Sequence, residues 1–261
     1  MELPLYWVDA FTDRVFGGNP AAVVPLDKWL DAALMQRIAN ENGISETAYF
    51  VRTGPASAEL RWFTPAVEVD LCGHATLASA HVLFTELGQV ASPFVFTTKG
   101  GRLSVGRKGE RIELDFPARP AAPVKEPPDM ARGLGGKPRE VYRTDLVWLC
   151  VYETEDEVRA LAPDITTLSA LVPGRFIPTA PGKDCDFVSR FFAPDAGIAE
   201  DPATGSAHCT LVPYWASRLG KATFHARQVS RRGGELWCEL AGDRVRMSGH
   251  ATLYLKGNIK V

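Results

Sequence analysis

The sequence predicts an α+β fold of two pseudo-symmetric halves, each a mixed, barrel-like sheet wrapped around a central helix, with the active site in the cleft between them. Three observations predict it. The stretch RWFTPAVEVDLCGHATLASAHVLFTELG (61–88) returns in outline as RFFAPDAGIAEDPATGSAHCTLVPYWASRLG (190–220). Arg61 pairs with Arg190, Phe63 with Phe192 and Pro65 with Pro194; after three extra residues in the second copy, Gly73 pairs with Gly205, Ala75 with Ala207, Leu87 with Leu219 and Gly88 with Gly220. Each copy also carries a helical pattern apolar on nearly every side, ATLASAHVLF and SAHCTLVPYW, and such a helix must be buried on most sides. Segments of strand alternation, finally, accompany both. Two copies are too few for a solenoid, so a pair of related halves follows, with a cleft of the kind that houses ligands.

Taken in order, MELPLYWVDAFT alternates like a strand. DKWLDAALMQRIANENG (27–43) reads as a helix capped by Asp27, with Leu30, Leu34, Met35 and Ile38 on one face and Gly43 as its stop. Strands follow at 45–51 and 58–63, then the helical pattern from Gly73 to Leu87, ended by Gly88. PFVFTT, GRLSVGRKG and ERIELDF read as consecutive strands joined at Gly or Lys-Gly turns. The Pro/Ala-rich PARPAAPVKEPP (117–128) breaks both periodicities and is read as a linker. It divides an N-terminal half, 1–117, from a C-terminal half, 118–261, whose final strand is a candidate to return to the first half.

Composition narrows the function classes. With 29 basic and 31 acidic side chains among 261 residues, the chain has no electrostatic footprint for nucleic acid or anionic membrane. Its five cysteines are scattered, with no C-x-x-C pair, which speaks against a disulfide framework or a structural zinc. No basic leader region opens the chain and no long apolar run follows, so the expected location is the reducing cytoplasm.

Several residues could carry chemistry. Gly73 and Gly205 each open a helix after an acidic loop, and two helix N-termini would make a cradle for a carboxylate or phosphate; close loop packing alone would also explain the glycines. His74 and Ser206 follow them in the first turns. His81, His208, His225 and His250 read by default as core or surface residues. Asp201 precedes a proline, which favours an extended backbone outside the helix, although a solvated loop carboxylate or a cap reads equally well. Glu46 opens an apolar strand, where a carboxylate can be desolvated and tuned for proton transfer; from spacing alone a surface-facing glutamate is the plainer reading. EDPATGSAHC lacks the lysine of a phosphate loop, and no H-x-x-x-H or H-E-x-x-H spacing points to a metal. Cys72 and His74, two residues apart, are a poor spacing for nucleophile and base, and no G-x-S-x-G elbow exists.

Five blocks, DAFTDRVFGGNPAAVV (9–24), SETAYFV (45–51), RWFTPAVEVDLCGHATLASA (61–80), SRFFAPDAGIAEDPATGSAH (189–208) and RRGGEL (231–236), resemble the PhzF-like family, in particular its phenazine biosynthesis-like domain-containing proteins. The resemblance implies a diaminopimelate-epimerase-like fold, a usual homodimer and a cofactor-free isomerase needing no metal. It assigns catalysis to Glu46 of the SET motif, His74 of the GH motif and Asp201 of DPxTGS. Gly73 and Ala75 in one helix start, with Gly205 and Ser206 in the other, would bind a small carboxylate-bearing substrate, with Ser206 and nearby N–H groups stabilising charge on an enolate-like state. Glu46 would move a proton between carbons. Related epimerases and racemases of this fold use a cysteine at each helix start. Here Cys72 stands at the first, while the second, read near Pro202 or Ala203, has none.

Overall fold

The computed structural model describes residues 1–261. The chain divides into two compact units, Met1–Asp115 with Met247–Val261, and Phe116–Arg246.

In the first unit, β1 (Glu2–Ala10) pairs antiparallel with the C-terminal strand Ala251–Lys260 on one side and with β2 (Asn19–Leu26) on the other. β2 runs parallel to β3 (Glu46–Gly54), from Ala21↔Glu46 to Leu26↔Val51, and the crossover between them holds α1 (Ala32–Asn42). β3 is antiparallel to β4 (Ser57–Phe63), which is parallel to β5 (Phe94–Thr98); this second crossover carries α2 (Gly73–His81). An antiparallel meander of β6 (Gly101–Lys108) and β7 (Arg111–Pro117) completes the sheet. Every residue from Gly73 to Ala80 is buried, and α2 lies against β1, β2, β3 and the C-terminal strand. Its buried hydroxyls pay no orphan penalty: Thr76 Oγ1 donates to the Cys72 carbonyl and Ser79 Oγ to that of Ala75. A small-residue helix is what allows a sheet to close around it.

The second unit repeats the order of pairings. β8 (Trp148–Val151) is parallel to β9 (Phe176–Pro181), β9 antiparallel to β10 (Phe187–Ser189), and β10 parallel to β11 (Thr223–Gln228) across α3 (Gly205–Leu219); β12 (Gly234–Ala241) pairs antiparallel with β11. Parallel, antiparallel, parallel, antiparallel, with the central helix in the second crossover, is thus the connectivity of both units. The duplication seen at 61–88 and 190–220 is a duplication of this core. Each core buries Leu, Val, Met and Phe side chains, such as Phe63 in the first unit and Phe176 and Phe192 in the second, each contributing about 1.5–3 kcal/mol.

Three local expectations are corrected. α1 is capped four residues later than the sequence pattern suggests: Asp31, and not Asp27, accepts from Ala33 N, while Trp29 leaves the helical path to donate its indole N–H to Glu59. The first central helix reaches the expected stop, with Leu87 as its cap and Gly88 at φ +67° beyond it, but it is regular only to His81, and Val82–Glu86 forms a π turn. The Pro/Ala-rich stretch is also not free of pairing, since Ala122 and Pro123 lie opposite Arg143 and Tyr142.

Candidate active site

The first unit gathers five polar side chains, Asn19, Ser45, Glu46, Cys72 and His74, at the start of α2. Glu46 is the first residue of β3, and its parallel pairing with Ala21 sets it beside β2, whose first residue is Asn19. Asn19 is placed by a tight approach: Gly18, at φ +57°, would bring a Cβ within 2.0 Å of the Ala10 carbonyl oxygen, so the chain can enter β2 there only with glycine. Two phenylalanines of the preceding loop, Phe11 and Phe16, also adopt positive φ, and Asp9 Oδ2 accepts from Phe16 N to hold the loop. Bulky residues are costly in that region, by about 1 to 2 kcal/mol. Such outliers cluster beside functional sites.

His74, the second residue of α2, is buried and points both ring nitrogens at partners. Its Nε2 lies 2.9 Å from Glu46 Oε2, close enough for an ion pair although the angle is outside hydrogen-bond geometry. On the other edge, Nδ1 lies 3.1 Å from Asn19 Nδ2 and 3.5 Å from Cys72 Sγ. Ser45 Oγ donates to Asn19 Oδ1 at 3.0 Å. Burial opposes charge on the ring, but the Glu46 carboxylate beside Nε2, with the Cys72 contact on the other edge, outweighs it and raises the His74 pKa above the usual imidazole value. Burial, reinforced by the Glu46 charge, pushes the Cys72 thiol up to about 11. The thiol is therefore protonated at neutral pH and is no nucleophile, in keeping with the poor spacing for a nucleophile and its base, even though Sγ touches His74 Nδ1. Extended backbone at Cys72, φ −146°, turns its side chain toward the first helical turn and makes that contact possible.

Glu46 corrects an expectation. It is 8% exposed, so its carboxylate is not a surface group. The ligand atoms of Glu46, Cys72 and His74 lie within 4.8 Å of one another, a donor set a borderline-soft cation could use. The imidazole, however, offers Nε2 to Glu46 and Nδ1 to Cys72, from opposite edges of the ring. As arranged, the three form a chain of polar contacts and not a chelate around one point.

In the second unit the corresponding helix start is built differently. Thr204, and not Pro202 or Ala203, occupies the N-cap position that Cys72 holds in α2. Its hydroxyl donates to Asp201 Oδ2, its N–H donates to Gln228 Oε1 at 2.7 Å, and its carbonyl faces His208 Nδ1 at 2.9 Å. Gln228 Nε2 also donates to the Asp201 carbonyl at 2.6 Å. Asp201 is buried, and so neither a solvated loop carboxylate nor the cap of α3. Gly205 is buried and Ser206 is exposed in the first turn. Neither N-cap side chain, Cys72 nor Thr204, closes its helix, which leaves first-turn N–H groups to other acceptors. His81 lies at the end of α2, away from these groups in the helix, and His225 pairs with Glu235 at 2.7 Å, in keeping with their default reading.

Sequence reasoning missed Asn19, Ser45, Thr204 and Gln228. Asn19 had a legible signal, a polar residue after two glycines at the head of an otherwise apolar strand; Gln228 had none, because its partners are 24 and 27 residues away.

The model of the phenazine biosynthesis-like protein family, PhzC-PhzF, matches residues 8–257. The chain belongs to the PhzC-PhzF family. It is 50% identical over 261 residues to an uncharacterized isomerase of Pseudomonas aeruginosa, covering 100% of both chains. It is 41% identical over 286 residues to the phenazine biosynthesis-like domain-containing protein of Bos taurus, covering 99% of each. Among solved structures it superposes on a PhzF-family protein of Enterococcus faecalis with a TM-score of 0.96 at 47% identity, over 100% of both chains. A hydroxyproline epimerase of Agrobacterium vitis, at 12% identity and a TM-score of 0.63, shares the fold. The PhzF architecture of two like-connected units is therefore that of this chain.

Proposed function

We propose that this PhzF-family protein is an isomerase in which Glu46 moves a proton between carbons of a small carboxylate-bearing metabolite. One observation carries the reading: a buried carboxylate stands 2.9 Å from a buried histidine at the start of a helix whose N-cap side chain makes no cap. The relatives named isomerases support the same class.

The chemistry follows from these groups. A substrate carboxylate accepts from first-turn N–H groups at Gly73 and Ala75. Glu46 takes a proton from a carbon next to, or conjugated with, that carboxylate, and the electron pair delocalises into an enolate- or dienolate-like anion. N–H donors stabilise the anion, and Glu46 returns the proton to a different carbon. One proton leaves and one arrives, so the step is redox-neutral and asks for no electron carrier. His74, beside Glu46, orients that carboxylate and shares the proton. In this reading Asp201, Gly205 and Ser206 keep the substrate-binding and proton-relay roles that the family resemblance gives them. The absence of a thiol at Thr204 supports a carboxylate-based reaction over a two-thiol one.

The test is incubation of wild type and Glu46→Gln with a metabolite extract in heavy water. Wild type is expected to introduce deuterium into a carboxylate-bearing compound as a double bond shifts, and the variant to lose at least 100-fold of that rate. No deuterium uptake by wild type, or equal uptake by the variant, sinks the Glu46 mechanism. Uptake with inversion at one centre and no shifted bond makes the enzyme an epimerase instead.

A further inference from the structure

We propose that Asn19 is a positioning residue that fixes the tautomer of His74, holding the ring proton of neutral His74 on Nε2, toward Glu46. This rests on the reading of Glu46 and His74 as the working pair and adds to it a residue that touches neither substrate nor reacting atoms.

An amide nitrogen only donates, so with Asn19 Nδ2 at 3.1 Å, Nδ1 of His74 must accept and carry no proton in the neutral ring. The second neighbour of Nδ1 is compatible with the same state: burial keeps Cys72 a thiol, whose S–H can donate to an unprotonated Nδ1 at 3.5 Å. The Asn19 donor on Nδ1 leaves the ring proton on Nε2, which is the atom 2.9 Å from Glu46 Oε2.

Asn19 is itself held. It is fully buried, its backbone pairs with Ala10, and Ser45 donates to Oδ1 at 3.0 Å, which keeps Nδ2 turned toward the ring. Ser45 and Glu46 are consecutive, so one strand start supplies both ends of the chain Ser45–Asn19–His74–Glu46. The groups facing the ring are Asn19 from β2, Glu46 from β3 and Cys72 at the head of α2; of these Glu46 and Cys72 are ionisable. Glu46 favours a second proton on the ring and prevails in the balance, while Asn19 limits it, because an Nδ1–H would face another donor. A base that must release its proton to substrate needs this restraint on its partner.

The test is ¹⁵N NMR of protein labelled at histidine, with the His74 signals assigned by their loss in His74→Gln, followed against pH. In wild type the neutral ring is expected to show a pyridine-type Nδ1 and a pyrrole-type Nε2. Asn19→Asp replaces the donor by an acceptor and should convert Nδ1 to the pyrrole type while raising the ring's titration midpoint. Ser45→Ala, at a partly exposed position, should keep the fold and give a mixture of tautomers. A wild-type ring protonated on Nδ1 when neutral overturns the proposal, as does a His74 spectrum unchanged in a folded variant. Since the readout is not turnover, a Glu46→Gln enzyme with full activity would remove the functional reading while leaving this tautomer assignment to stand or fall separately.

Discussion

Cys72 touches a histidine nitrogen at 3.5 Å, the contact that in thiol enzymes makes a nucleophile, yet its surroundings work against ionisation. It is 6% exposed, and the Glu46 carboxylate is part of the same cluster, so burial and like charge together raise the thiol to about 11. Cys72→Ala is accordingly expected to retain isomerase activity within about tenfold, a change of about 1.4 kcal/mol in barrier, measured as deuterium incorporation. A loss comparable with Glu46→Gln would return the sulfur to the mechanism. At this scale the sequence named Glu46, His74 and Asp201 through motifs, but it could not weigh them. Glu46 looked like a surface group because the burial of a strand's first residue depends on what packs over it, and the Asn19 partner of His74 was not legible because it lies 55 residues away in the chain.

Among the elements, α3 shows how a central helix constrains a histidine. His208 is completely buried, its Nδ1 facing the Thr204 carbonyl at 2.9 Å and its Nε2 without a hydrogen bond, so burial lowers its pKa to about 4. The folded value lies below the ordinary 6.5, and the unfolded chain therefore takes up the proton first. The contribution to stability is complete above pH 6.5, is lost as the pH falls from 6.5 toward 4, and does not fall further below that. Over that span it amounts to roughly 3 kcal/mol. Urea unfolding of wild type and His208→Gln between pH 7 and pH 4 checks it: wild type should lose about that much more than the variant, and parallel curves would refute the assignment. The two central helices were legible from the repeat of Gly, small residues and Gly. Their boundaries were less so. Asp27 and Asp31 are equally good caps by type, and the choice of Asp31 depends on Trp29 bonding to Glu59 on β4, a contact between distant parts of the chain.

At the scale of the whole molecule, the first unit is closed by the last segment of the chain. Ala251–Lys260 pairs with β1 along its length, from Glu2↔Lys260 to Ala10↔Ala251. A chain ended at Arg246 keeps the second unit's residues but leaves the edge of β1 unpaired. It is expected to lose cooperative unfolding of the first unit and to aggregate, as followed by urea titration and size-exclusion chromatography; an unchanged urea midpoint would contradict this. The sequence by itself determined the duplication, the two central helices, the family and the residue types of the site, because fixed spacings of Gly, Pro and apolar side chains are local properties written along the chain. Tertiary structure alone decided which strand closes the first sheet, the burial of Glu46, and the partners on each edge of His74. Those depend on strand register and on contacts between segments far apart in sequence, where distance and desolvation, rather than residue type, set what a side chain can do.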